Sequence, residues 1–155
     1  NSIVPPGGVR RPFMGQKFRL PGVPSTSAMG DVPYMRAGEM LLIEAEAKAK
    51  LGDNAGAQTA LHTLVSNRDA SATKTTKTGT DLLEEIYFNR RIELWGEGHR
   101  YFDLKRLNLP VDRRNSNHNS AIALEMLIPA GDVRWEFLIP RDELNANKKA
   151  VQNPL

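Results

Sequence analysis

The sequence has no cysteine. That excludes disulfides, thiolate metal sites, a cysteine nucleophile and lipid attachment through a cysteine within these residues. It has no long hydrophobic run either. The longest apolar stretch, around Met40 to Ile43, falls far short of the roughly 20 residues that cross a bilayer. Histidine is scarce: His62, His99 and His118 are scattered without ligand spacing. No nucleophile elbow, phosphate-cradling glycine loop or zinc pattern is present. The chain starts at Asn1, with no basic start leading into an apolar core and a small-residue cleavage site. It is read as a fragment or a processed chain without a signal peptide, whose anchor, if any, lies upstream.

What is present fits one ordinary globular domain: 155 residues, 40% hydrophobic and 25% charged. A net charge of +3 raises the question of nucleic acid. The bases, however, are interleaved with acids, and the two denser clusters, Lys74/Lys77 and Arg113/Arg114, fall in polar loops. No nucleic-acid partner is expected.

Residues 1–30 read as an irregular lead-in broken by Pro5-Pro6-Gly7-Gly8 and Pro21-Gly22-Val23-Pro24. Residues 31–107 read as a helical core. Its first helix is expected from Asp31, as cap, to Leu51, with Pro33 in the tolerant first turn and Gly52 as stop. Glu44/Lys48 and Glu46/Lys50 are acid-before-base pairs four apart. Ala45, Ala47 and Ala49 allow a close helical neighbour, with Leu41, Leu42 and Leu51 as apolar contacts. After Gly52-Asp53-Asn54, Ala57, Leu61, Leu64 and Val65 recur at helical steps to about Arg68, which predicts a helical hairpin. A solvated loop occupies 70–79. A third helix is expected from a Thr80 cap, with Leu83, Ile86, Tyr87, Leu94 and Trp95 on one side. Gly96 and Gly98 break it, and a fourth runs from about His99 to Leu107 before Pro110. Residues 108–155 read as loop and closing segment: a polar loop over 111–120, an extended Trp135-Glu136-Phe137-Leu138-Ile139-Pro140, then a helical turn at Asp142 to Leu144. The fold class is therefore mostly α, with helix pairs resembling tetratricopeptide repeats, irregular loops and a short extended segment near the C-terminus.

Three pieces carry a family resemblance. Arg36-Ala37-Gly38-Glu39-Met40-Leu41-Leu42-Ile43-Glu44-Ala45-Glu46-Ala47 resembles an Arg-x-x-Glu-x-x-Leu-x-x-Ala-Glu-Ala helix. The most specific piece runs from Asn89 to Arg106. There Arg90, Arg91, Glu93, Gly98, Arg100, Asp103 and Arg106 match Glu-Arg-Arg-x-Glu-Leu-x-x-Glu-Gly-x-Arg-x-x-Asp-Leu-x-Arg. In the tail, Phe137-Leu138-Ile139-Pro140, Glu143-Leu144, Asn147 and Gln152-Asn153-Pro154 are similar to a closing set of Pro-Ile-Pro, Glu-Leu, Asn-Pro and Gln-Asn-Pro. All three resemble motifs of the SusD/RagB family, in the family's order and spacing. Asn89 replaces the usual Glu, and Lys148 stands where a proline is common; both lie at motif edges.

The resemblance implies that residues 1–155 are the C-terminal part of a SusD/RagB-like domain, whose N-terminal half is a structural partner. It implies a non-catalytic surface lipoprotein of Bacteroidetes-type bacteria, lipid-anchored through the missing N-terminal region on the outer face of the outer membrane. Such a protein captures oligosaccharide or polysaccharide and passes it to a SusC-like TonB-dependent transporter. No cofactor, metal or catalytic residue is implied. The alternatives are a helical-repeat adaptor that binds a protein segment in a groove, and a helical hydrolase remnant. An adaptor predicts a groove rich in asparagine or basic residues; a sugar binder predicts an aromatic platform with a polar rim; an enzyme needs paired carboxylates in a cleft.

The motif residues Arg90, Arg91, Glu93, Glu97, Arg100, Asp103 and Arg106 put opposite charges within reach at a glycine-broken helix junction. They are read as Arg–carboxylate clamps that fix its geometry. Arg36 and Glu39 belong to the same structural motif set. Glu39, Glu44 and Glu46 lack the histidine partner of helical carboxylate metal sites and are read as a solvated or Arg-paired face. Sugars stack their apolar faces on aromatic rings. Trp95, Tyr101 and Phe102 fall inside the motif and are assigned to packing. Trp135, outside any periodic helix, is the ligand-binding candidate.

Overall fold

The computed structural model describes residues 34–116, 119–123 and 125–154. The chain divides into two units, residues 1–36 and 37–155. In the first, only Tyr34, Met35 and Arg36 are described, so the Asp31 cap, Pro33 and the lead-in lie outside the described residues, as does His118.

In the second unit, helix α1 spans Ala37–Lys50, α2 Asn54–Ser66, α3 Gly79–Glu93, α4 His99–Arg106 and α5 Arg141–Ala146. The protein is mostly helical. A two-stranded antiparallel ladder, β1 (Val111–Asp112) with β2 (Leu127–Ile128), pairs Val111 with Ile128 and Asp112 with Leu127. α1 thus begins at Ala37 rather than Asp31, and the polar stretch after Pro110 opens with a strand rather than a free loop. The alternation of polar and apolar residues there is too short to signal a strand; the pairing partner lies across the loop.

α1 and α2 are joined at Gly52, whose φ of +85° suits a residue without Cβ. Asp53 caps α2, its Oδ1 accepting from the Gly56 amide at 2.9 Å. The chain then doubles back along α2. Gln58 donates to the Lys77 carbonyl at 2.8 Å, Lys74 to Thr59 Oγ1 at 2.7 Å, and the Gly79 amide to Asn54 Oδ1 at 3.0 Å. These bonds set α3 down beside the start of α2. Its N-cap is Thr78, and Thr80 lies inside the helix.

The core is formed by Leu42, Ala45, Ala49, Ala57, Ala60, Leu61, Leu64, Leu82, Ile86 and Leu94. The facing alanines let α1 and α2 approach closely, while each buried leucine contributes roughly 1.5–3 kcal/mol. The inward stripe of α3 is Leu82, Ile86 and Arg90. Leu83 and Tyr87 are half-buried, and Trp95 and Leu51, both expected to pack, are exposed. α4 gives way at Asn108, which has φ of +50°, and the Leu109 amide closes back on the Leu104 carbonyl at 2.8 Å.

Beyond the ladder, the expected extended segment begins as one 3-10 turn, Val133–Trp135, before the chain straightens at Glu136. Asp132 caps that turn through the Arg134 amide at 2.9 Å. The tail clasps the straightened chain from Phe137 to Ile139. Gln152 accepts from the Ile139 amide at 2.8 Å and donates to its carbonyl at 3.0 Å, and Asn153 donates to the Phe137 carbonyl at 2.6 Å. The two tail motifs therefore belong together: one side-chain amide takes the place of a neighbouring strand.

Candidate functional site

The densest polar construction ties α1, α3 and α4. Arg90, on the inward face of α3, donates through Nε to Asp103 Oδ1 and Oδ2 at 3.1 and 3.0 Å. Asp103 also accepts from Arg106 Nε at 2.9 Å. Arg106 reaches α1 with its outer nitrogens and grips Glu46 in a bidentate pair, at 2.6 and 2.8 Å. Lys50 adds a bond to Glu46 at 2.7 Å, and Tyr87 donates to Glu46 at 3.3 Å. The Arg106 guanidinium lies 5.9 Å from the Tyr87 ring centre. Burial pushes the Glu46 carboxyl up, but the hydrogen bonds and charges of Arg106 and Lys50 outweigh it and hold it down at about 2.

A second clamp lies at the end of α3. Arg68 donates to Glu93 through Nε and Nη2, at 3.0 and 2.8 Å. Gly38 gives Glu93 its room: a Cβ on that residue would stand 2.9 Å from Glu93 Oε1. Glu39 approaches His99, with Oε1 3.8 Å from Nδ1. Arg36 sits immediately before α1 and is half-buried.

The structure thus brings together Arg90, Asp103 and Arg106, with Glu46 as the fourth member. Sequence spacing misses the partnerships of Glu46 and Arg68, because both pairs form across the tertiary structure. Arg91 and Arg100 stand outside the clamps and make no ion pair among the described residues. Gly98, with φ of +84°, turns the chain into α4.

Trp135 is in the interior, 6% exposed. Its indole N–H donates to the Pro129 carbonyl at 2.8 Å, and its own carbonyl accepts from Tyr101 Oη at 2.8 Å and Lys105 Nζ at 3.2 Å. With its ring buried and its N–H engaged, Trp135 supports other rings rather than offering a face to solvent. Tyr101 packs at 5.6 Å from it, centroid to centroid, and lies 5.3 Å from Phe102 and 5.7 Å from Phe137. The outer two rings are open: Phe102 is 66% exposed and Phe137 78%. Lys105 and Glu136, paired at 3.0 Å, lie beside the cluster. This is an aromatic surface, fixed from beneath by Trp135 and bordered by charged side chains.

Among the described residues no three His, Cys, Asp or Glu side chains gather as a metal site, and no helix is long and apolar enough to cross a membrane.

Paired helices pinned by Arg–carboxylate clamps, with an exposed aromatic cluster beside α4, define a helical scaffold with rings open on its outside. The model of the SusD family matches residues 17–155, and the chain belongs to that family. It is also similar to a crystal structure from Bacteroides vulgatus described as that of a candidate sugar-binding protein. The two share 33% sequence identity at a TM-score of 0.68, over 77% of this chain. The chain spans 28% of that protein's length. No curated protein matches it.

Proposed function

We propose that this chain forms the C-terminal part of a non-catalytic glycan-binding protein of the cell surface, and that sugar stacks on the Phe102/Phe137 surface. The observation that carries the reading is that aromatic cluster. Two exposed rings flank a Tyr101 ring that is itself hydrogen-bonded to the Trp135 backbone, and the Lys105/Glu136 pair offers polar groups for hydroxyls. Preorganised rings cost little entropy on binding. Membership of the SusD family and the sugar-binding description of the B. vulgatus relative support the same reading.

The parent is a lipid-anchored protein on the outer face of the outer membrane, where it captures oligosaccharide and hands it to a SusC-like TonB-dependent transporter. No bond in the sugar is made or broken.

The test is a glycan panel read by calorimetry on wild type and on Phe102→Ala and Phe137→Ala. Each ring is exposed, so stability should change by less than about 0.5 kcal/mol. Affinity for the best glycan should fall about tenfold, which corresponds to ~1.4 kcal/mol. Unchanged affinity in both variants would remove the cluster as the site; hydrolysis of a panel member, lost on mutating a residue of this chain, would make the protein an enzyme.

A further inference from the structure

Arg91 and Arg100 belong to the α3–α4 junction but not to its clamps. Arg68, Arg90, Arg106, Arg114 and Arg134 each hold a carboxylate. Arg91 and Arg100 hold none among the described residues. Arg91 lies over the Phe88 ring at 5.7 Å. Arg100 is pulled below the usual guanidinium range by partial burial and then by the nearby positive charge of Arg91, against a smaller opposing pull from Asp103. Both side chains are exposed, so water screens their repulsion, and an anion held between them would gain from both charges.

The space for such an anion is present. A cavity of about 590 Å3 opens at the α3–α4 junction, lined by Arg90, Arg91, Arg100, His99, Trp95 and Tyr101 among others. That volume falls in the range of small-molecule sites. α4 begins at its edge behind Gly98, which has no side chain to cap the leading amides of the helix's positive end. Arg90, 8% exposed, also lines the cavity and leaves Nη1 without a hydrogen-bond partner. Among the described residues of the wall the one carboxylate, Asp103, is already held by Arg90 and Arg106. Glu84 stands with both arginines in the wall of an adjoining cavity, exposed and without an ion pair to either. The Trp95 ring at the rim is 59% exposed.

We infer that this cavity binds the carboxylate of an acidic sugar, a hexuronate residue within a glycan, with Arg91 and Arg100 forking its oxygens and the pyranose ring lying along Trp95. A planar guanidinium matches a carboxylate through two parallel hydrogen bonds, and an adjacent aromatic ring selects a sugar over a free carboxylic acid. The inference rests on the glycan reading and extends it by giving the glycan a charge.

The experiment compares three ligands on the full chain by titration calorimetry: a galacturonate trimer, its methyl ester, and the neutral galactose trimer. The acid should bind at least tenfold more tightly than the other two, and the advantage should shrink as salt is raised. The Arg91→Gln/Arg100→Gln variant should bind all three alike. Should that variant fold poorly, the acid-to-ester ratio on wild type still decides the charge dependence, because it alters only the ligand. Equal affinity for acid and ester, or an acid preference that survives in a folded double variant, overturns this inference while leaving neutral glycan binding intact. Failure of all three sugars, and of the wider panel, overturns the glycan reading with it.

Discussion

Removing one carboxylate should unlock the whole helix junction. The Arg90 and Asp103 side chains are 9% and 10% exposed, so Asp103→Ala leaves a guanidinium in the interior with both its Nε bonds gone. Stranding one partner of a buried pair costs roughly 3–5 kcal/mol, a large fraction of the 5–15 kcal/mol that typically separates native from unfolded. Arg106 loses one bond to Asp103 but keeps its bidentate grip on Glu46, so its share of the loss is small. The cost therefore comes from desolvating an unpaired Arg90 rather than from the attraction forgone. That distinction is testable. In Arg90→Met/Asp103→Leu both charges go and apolar atoms fill the space, so the double variant should be more stable than Asp103→Ala. Urea unfolding followed by circular dichroism measures both. An Asp103→Ala loss under about 1 kcal/mol, or a double variant as unstable as the single, would refute the reasoning.

Gly98→Ala should cost about 1–2 kcal/mol by denaturant midpoint, because φ of +84° is strained for alanine although nothing lies within 4 Å of the added methyl. The Glu46 carboxyl lies at about 2 in the folded protein against an ordinary 4.5. Its contribution is therefore complete above about 4.5 and is lost as pH falls toward about 2. Glu46→Gln should flatten the acid limb of a stability–pH curve, and an unchanged slope would count against the pair. Trp135→Phe removes the donor to the Pro129 carbonyl and should destabilise by roughly 1–3 kcal/mol. Glycan affinity of the folded protein should hardly move; a variant that melts like wild type and binds tenfold more weakly would return Trp135 to the site.

The helical hairpin is legible in the sequence because its signals are local. Glycine at 52, the Asp53 cap and the spacing of Ala57, Leu61 and Leu64 are each read within one turn of chain. The motif from Asn89 to Arg106 likewise announces a charged junction at Gly96 and Gly98. It does not disclose that Arg106 reaches across to Glu46, sixty positions earlier, since no spacing rule links α4 to α1. On α3, periodicity places Ile86 and Leu94 correctly inward but picks Leu83 and Tyr87, which are half-buried, over Leu82 and Arg90. Taking Leu83 and Tyr87 as inward leaves no room for Arg90, whereas the buried row of Leu82, Ile86 and Arg90 puts a charge on a core face that periodicity reserves for apolar residues. Trp135 looks ligand-facing in the sequence because no helix claims it, yet the 3-10 turn and the Pro129 carbonyl bury it. The exposed rings, Phe102 and Phe137, lie within or beside motifs and look structural for that reason.

The junction divides its arginines by the side of the helix on which they lie. Arg90 points inward from α3, where an unpaired charge would be intolerable, and Asp103 is held against it by a second cation, Arg106, whose other nitrogens anchor on α1. Arg91, one position along, is rotated about a quarter-turn or more around the same helix and comes out beside Arg100. The same dipeptide therefore serves two ends: its first residue fixes the crossing of α3 on α4, and that rigid crossing fixes where the second residue stands. If Arg91 and Arg100 were only further clamps, carboxylates of this fold should lie against them, as they do against Arg68, Arg106 and Arg134. Among the described residues none does. The positive charge that the scaffold holds open is thus positioned by the charge that it neutralises, and a folded Arg91→Gln/Arg100→Gln protein should keep the junction's stability while losing its preference for an acidic ligand.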